Sequence, residues 1–253
     1  MKFISPSRTI QNAIAIAINS EFGILLDPRE IALEICYPKY DAHYTSAIAL
    51  AISHRLKLNP LEIADAIAQT CSQNPEVSSQ CQIQALGKGW LNIFLSEKYI
   101  SASLLDLENW QIDGIADCEG FWQKCDVSIH PANNPPEAIV QYAYARCCAL
   151  IRLAHQNNVV TIHEFPLHLE PAEISLLMQN FAIAAYLEDE NPLPLNKQKL
   201  SRSLAEAFLR FYDRCRIFGV SREIAARRLL LISITQKMLT AIAPPEINYA
   251  KYL

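Results

Sequence analysis

Gln141-Tyr142-Ala143-Tyr144-Ala145-Arg146 and, further along, Leu204-Ala205-Glu206-Ala207-Phe208-Leu209-Arg210-Phe211-Tyr212 decide how the second half of this chain folds. The first stretch opens a helix. In the second, Leu204, Phe208, Phe211, Tyr212 and Cys215 recur at helical spacing, which puts an apolar stripe on one face and a core behind it. Around these stretches, helices are expected over 137–157, about 170–187, 199–218 and 221–242, divided by Asn157-Asn158, Asn191-Pro192 and Gly219. Helices of that length, joined by short breaks, close into an all-α antiparallel bundle.

The first hundred residues carry a mixed signal. Ile10, Ile14, Ala17 and Ile18 mark a helix over 6–22, with Ser5 and Pro6 suited to its start. Ile31 to Cys36 reads as a short strand stopped by Pro38, and a second helix is expected from about Tyr44 to Leu56. Asn59-Pro60 starts a third helix running to about Cys71, with Asn59 as its cap. Cys81 to Leu86 and Trp90 to Leu95 read as strands joined by Gly87-Lys88-Gly89, a hairpin signal. A further helix is expected over 98–107.

The expected architecture is an α+β N-terminal domain over 1–107, helices on a small antiparallel sheet, then a connector over 108–136 and the helical bundle over 137–253. Trp110, Phe121 and Trp122 are too apolar for a free linker, so the connector should be ordered, ending at the breaker Asn133-Asn134-Pro135-Pro136.

Hydrophobic content of 51% and charged content of 19% describe a globular chain of 253 residues. The apolar run Ala13 to Ile18 is far too short to span a bilayer, and it lacks the flanks of a secretory leader, so a cytoplasmic protein with no membrane partner is expected. Eight cysteines with no C-x-x-C pair read as reduced, mostly buried thiols. Cys118, Cys125 and His130 lack the spacing of a zinc site, and no metal is expected. Six glycines are few for phosphate-cradling loops, and no G-x-G-x-x-G, Walker or G-x-S-x-G pattern occurs. Neither a cofactor nor a catalytic residue is expected.

Charge is unevenly placed. The chain carries −4 overall; residues 1–136 hold 9 basic and 15 acidic side chains, residues 197–237 hold 10 basic and 3 acidic. A phosphate-facing surface is therefore expected only in the bundle, built from Arg146, Arg202, Arg210, Arg214, Arg216, Arg222, Arg227, Arg228 and Lys237, with Tyr212 able to stack on an unpaired base. The alternative for the arginines is a solvated face, and for Phe208, Phe211 and Tyr212 a plain core role. A second function class is a protein-interaction module anchored by Trp110, Phe121 and Trp122, or else these aromatics hold the chain together internally.

Both quoted stretches resemble the anticodon-binding helical domain of arginyl-tRNA synthetases. That family carries Q-Y-A-H-A-R where this chain has Gln141 to Arg146, with Tyr144 in place of histidine. It carries L-A-x-x-F-N-x-F-Y where this chain has Leu204, Ala205, Phe208, Phe211 and Tyr212, with Leu209 in place of asparagine. Near the N-terminus, Tyr44-Thr45-Ser46-Ala47, Asn59-Pro60-Leu61-Glu62-Ile63-Ala64 and Gly87-Lys88-Gly89-Trp90-Leu91-Asn92-Ile93 resemble, in order, three patterns of the same family's N-terminal domain. The family's nucleotide-binding domain, with its H-I-G-H and K-M-S-K signatures, has no counterpart between the two regions. The resemblance implies a tRNA-binding scaffold without the aminoacylation site. It also implies that the changed positions, Ala47, Tyr144, Leu209 and the tail beyond Ile247, lie nearest the RNA.

Overall fold

A computed structural model describes residues 3–37, 39, 41–112, 135–157, 169–189 and 197–243. The chain divides into two compact units, one formed by 4–103 and the other by 104–253 together with the first three residues.

In the first unit, α1 spans Pro6–Phe22. The Ser5 hydroxyl accepts from the Arg8 amide at its start, and Gly23 closes it in the left-handed conformation at φ 64°. A four-stranded antiparallel sheet follows, in the order β1-β2-β4-β3, from β1 Glu34–Ile35, β2 Tyr44–Ser46, β3 Cys81–Leu86 and β4 Trp90–Leu95. Helices α2 (Ile48–Leu56), α3 (Pro60–Gln73) and α4 (Pro75–Gln80) intervene between β2 and β3. Ile83, Leu91 and Ile93 on the sheet and Ile63, Ala64 and Ile67 on α3 are buried, as are Ile10, Ile14 and Ile18 of α1.

The β3–β4 hairpin has the expected bounds, and Gly89 shows why its turn takes this residue. At φ 108° a side chain is strained, and a Cβ there would lie 2.6 Å from Pro60 Cβ, so the turn can close onto the start of α3 only without one. Asn59 caps α3 as expected, its side-chain oxygen accepting from Leu61 N–H at 2.9 Å.

Two expectations fail here. Tyr44 to Ser46 is a strand, not the first turn of a helix. Tyr44 pairs with Ile93 and is buried with Ser46, while Thr45 Oγ1 donates to Leu91 O, so alternation of period two wins. The strand expected over 31–36 shrinks to Glu34–Ile35 because Ile31 N–H is drawn back to Pro28 O, closing a 3-10 turn held by the Asp27–Glu30 capping box.

The second unit takes the end of α5 (Glu97–Asn109) and the helices α6 (Pro135–Gln156), α7 (Pro171–Glu188), α8 (Lys197–Arg214) and α9 (Arg222–Ile242). Pro135-Pro136, expected as a breaker, opens α6, since proline suits a first turn whose N–H groups have no acceptor. Glu173 meets Arg227 and Asn180 meets Thr235, so α7 and α9 run in the same direction, while α8 between them in sequence runs back. Phe181, Phe208 and Phe211 are fully buried at the centre. Helix α8 ends four residues earlier than expected, where Cys215 and Ile217 turn inward and Gly219 takes φ 77°. No helix among the described residues is long and apolar enough to cross a membrane.

Candidate functional site

The two diagnostic stretches meet. Arg146 on α6 projects toward the last turns of α8, where its guanidinium carbon lies 5.5 Å from the centre of the Tyr212 ring. It lies 5.4 Å from the centre of the Tyr142 ring, and its Nε donates to Tyr142 Oη at 3.1 Å. One cation is thus held by two aromatic faces, a geometry that fixes its position while leaving its charge near the surface. Tyr142 is 36% exposed. The Tyr142 hydroxyl first, then the charge coupling to Tyr212, raise the pKa of Arg146 above its ordinary value. Tyr212 also stacks on the buried Phe208 at 6.3 Å, so its ring is half core and half surface. The core reading therefore holds for Phe208 and Phe211, while Tyr212 packs on that core with part of its ring exposed.

Arg202, Arg210, Arg214, Arg216 and Arg222 are exposed. Arg202 Nε bonds Glu206 at 2.9 Å one turn along, a surface pair of small energetic weight. Arg210 and Arg214 are like charges four residues apart on one helix, mutually repulsive by about 0.2–0.5 kcal/mol, and an anion relieves that repulsion. Cys215 Sγ donates to Glu170 at 3.8 Å, which brings the end of α8 beside the start of α7. The start of α9 is there too, because Arg228 Nη1 donates to Arg216 O. Arg214, Arg216 and Arg222 thus share this end of the bundle with the N-termini of α7 and α9, whose positive dipole ends are offset by the C-terminal end of α8 and by Glu170, Glu173 and Glu223.

Arg227 and Arg228 do not belong to that surface, which corrects the expectation from sequence. Each is only 3% exposed. Arg227 donates from Nε and Nη2 to both oxygens of Glu173, and Arg228 donates from Nε to the same carboxylate at 3.1 Å. Arg228 Nη2 also reaches Glu170, which caps the helix with Glu173 in a reciprocal box. Burying two guanidinium groups demands a counter-charge, and Glu173, fully buried on α7, supplies it. Lys237 is likewise engaged, donating to the carbonyls of Leu107, Glu108 and Trp110 at the end of α5.

Of the aromatic anchors, Trp110 stacks on Phe3 at 5.2 Å and is half-buried. Phe121 and Trp122 lie outside the described residues, as do Cys118, Cys125 and His130. Among the described residues no cluster of potential metal ligands occurs. The described cysteines are buried. Burial pushes Cys71 up to about 12 and Cys81 to about 11, and Cys215 rises to about 11 from burial, partly offset by Arg228. None of these is a ready thiolate at neutral pH. Tyr144 is buried, so its departure from the family pattern is a packing change, whereas Leu209 and Ala47 stay half-exposed.

Sequence reasoning passes over Tyr142 and Glu173. Tyr142 sits four residues before Arg146, the helical spacing at which side chains meet. Glu173 follows Glu170 by three, the capping-box interval, but nothing local signals that it is the counter-ion of α9.

Residues 140–243 match the family model described as DALR anticodon binding domain, and residues 8–95 match that of the arginyl tRNA synthetase N terminal domain. Similar curated proteins include the arginine–tRNA ligase of Synechococcus sp. (strain JA-3-3Ab), 30% identical over 128 residues, covering 45% of this chain and 21% of the relative. Another, from Picosynechococcus sp. (strain ATCC 27264 / PCC 7002 / PR-6), is 27% identical over 158 residues, covering 60% of this chain and 23% of the relative. A third, from Pelodictyon phaeoclathratiforme (strain DSM 5477 / BU-1), is 35% identical over 117 residues, covering 43% and 21%. The matches thus span between a fifth and a quarter of the relatives' own length.

Proposed function

We propose that this chain, which joins the N-terminal and DALR anticodon-binding domains of arginyl-tRNA synthetases, binds tRNA or a similarly structured RNA without aminoacylating it. The observation that carries the reading is the meeting of Tyr142, Arg146 and Tyr212 at the end of α8, a helix whose other face carries the exposed Arg210 and Arg214. The exposed Tyr142 ring suits an unpaired base, and the exposed arginines of α8 suit phosphates of the same RNA. Within these 253 residues neither H-I-G-H nor K-M-S-K occurs, which supports a non-catalytic role. A protein-anchoring role has less support, since Trp110 already stacks on Phe3.

Filter binding of tRNA across a salt series tests the proposal. Binding should weaken linearly in log–log form, and the double variant Arg210→Ala/Arg214→Ala should reduce the slope by about 0.7–0.9 for each phosphate it no longer neutralises. No binding at low salt refutes the reading.

A further inference from the structure

Among the described residues, β3 forms an edge of the first unit's sheet whose own sequence carries no charge, proline or bulge. Strand β3 reads Cys81-Gln82-Ile83-Gln84-Ala85-Leu86, with no charge, no proline and an unbroken register against β4. Natural edge strands are generally blunted by lysine, proline or a bulge, because an open row of backbone groups is a template for another strand.

The hydrogen-bond parity shows which groups are open. Ser96 N–H donates to Gln80 O and Gly89 N–H to Leu86 O, so the even-numbered residues of β3 face β4. On the far side of β4, Ile93 O accepts from His43 N–H. Ile83, opposite Ile93, therefore turns its backbone groups outward, and so does Ala85. Cys81 N–H donates back to Val77 O in α4, leaving its carbonyl on the outer side. Among the described residues, no backbone acceptor in a turn, loop or cap takes the Ile83 or Ala85 N–H.

We propose that this edge pairs with the same edge of a second copy, antiparallel about a two-fold axis through Ile83. The parity permits it. Ile83 of one copy exchanges both backbone bonds with Ile83 of the other, and Ala85 N–H donates to Cys81 O in each direction, roughly four bonds in all. On the core side Ile83 meets Ile83 and Cys81 meets Ala85. On the outer face Gln82 stands opposite Gln84, two exposed neutral amides able to bond one another. A strand with a lysine or glutamate at either place would oppose like or unpaired charges across the axis; this one opposes none. A strand edge buries too little surface for a permanent dimer, so the association is concentration-dependent.

Sedimentation velocity on the nuclease-treated full chain, from about 10 µM to about 1 mM, brackets the dissociation constants expected of so small an interface. The mass should rise toward the dimer, and exchange of the Ile83 and Ala85 amides should slow with concentration. Gln82→Lys/Gln84→Lys places like charges opposite each other at exposed positions, and should abolish the rise with the circular dichroism unchanged. Mixing it with Gln82→Glu/Gln84→Glu should restore the association. A monomer at every concentration overturns the proposal, and so does a dimer that the lysine variant leaves intact.

Discussion

Replacing Glu173 by glutamine removes one charge and little else. The side chain keeps its length, and the capping interaction with the Glu170 backbone N–H, 2.8 Å in the native chain, can be retained through the amide oxygen. What disappears is the anion shared by two buried guanidinium groups. Arg227 is deprived of the carboxylate it grips from two nitrogens, and Arg228 keeps Glu170, whose side chain is 53% exposed. Breaking a buried ion pair from one side costs about 3–5 kcal/mol, because the remaining charge stays desolvated. With a urea m-value of about 1.5 kcal/mol/M, the transition midpoint of the helical unit should fall by roughly 2–3 M. Helical circular dichroism against urea measures it. An internal comparison is Arg202→Ala, which breaks only the exposed pair with Glu206 and should cost about 0.5 kcal/mol or less. A loss below about 1 kcal/mol for Glu173→Gln would refute the argument that Arg227 and Arg228 are structural cations needing this anion.

Three further outcomes are expected. Arg146→Ala should weaken RNA binding by about 1–3 kcal/mol, the scale of one stacked base, as its loss frees the Tyr142 and Tyr212 rings from their common cation; the thermal midpoint should hardly move, and an unchanged dissociation constant tells against the site. Gly89→Ala should destabilise the first unit by about 1–3 kcal/mol in a thermal melt, from strain at positive φ and a clash with Pro60 backbone atoms at 2.8 Å. Stability of the same unit should fall as pH rises from about 9 toward 11–12: unfolded Cys71 and Cys81 release their protons near 9.0, whereas the folded thiols hold theirs to about 12 and 11. The slope should reach about 1.4 kcal/mol per pH unit for each thiol; a flat profile in reductant would show that their burial does not persist in solution.

Much of this fold is legible in the sequence because its signals are local. The Asn59 cap, the Gly87-Lys88-Gly89 turn and the apolar stripe of α8 each act within a few residues, and each appears at its expected place. Tyr44-Thr45-Ser46 reads locally as helix since its strand character comes from β4, more than forty residues away. The early end of α8 has the same origin: Cys215 and Ile217 turn inward to bury themselves, which no helical periodicity announces.

The candidate site divides along the same line. Residue types and spacing are enough to identify a basic helical region, two aromatic-rich segments that belong together and an α+β partner unit. They cannot sort the arginines. Arg210 and Arg214 differ from Arg227 and Arg228 in nothing that a window of neighbours reveals, yet one pair is solvated and the other is enclosed. The distinction rests on Glu173, which lies 54 positions before Arg227 and becomes its neighbour only when α7 and α9 run side by side. A charge is tolerated in an interior where an opposite charge meets it, and that meeting is a property of the packed helices, not of any segment of the chain.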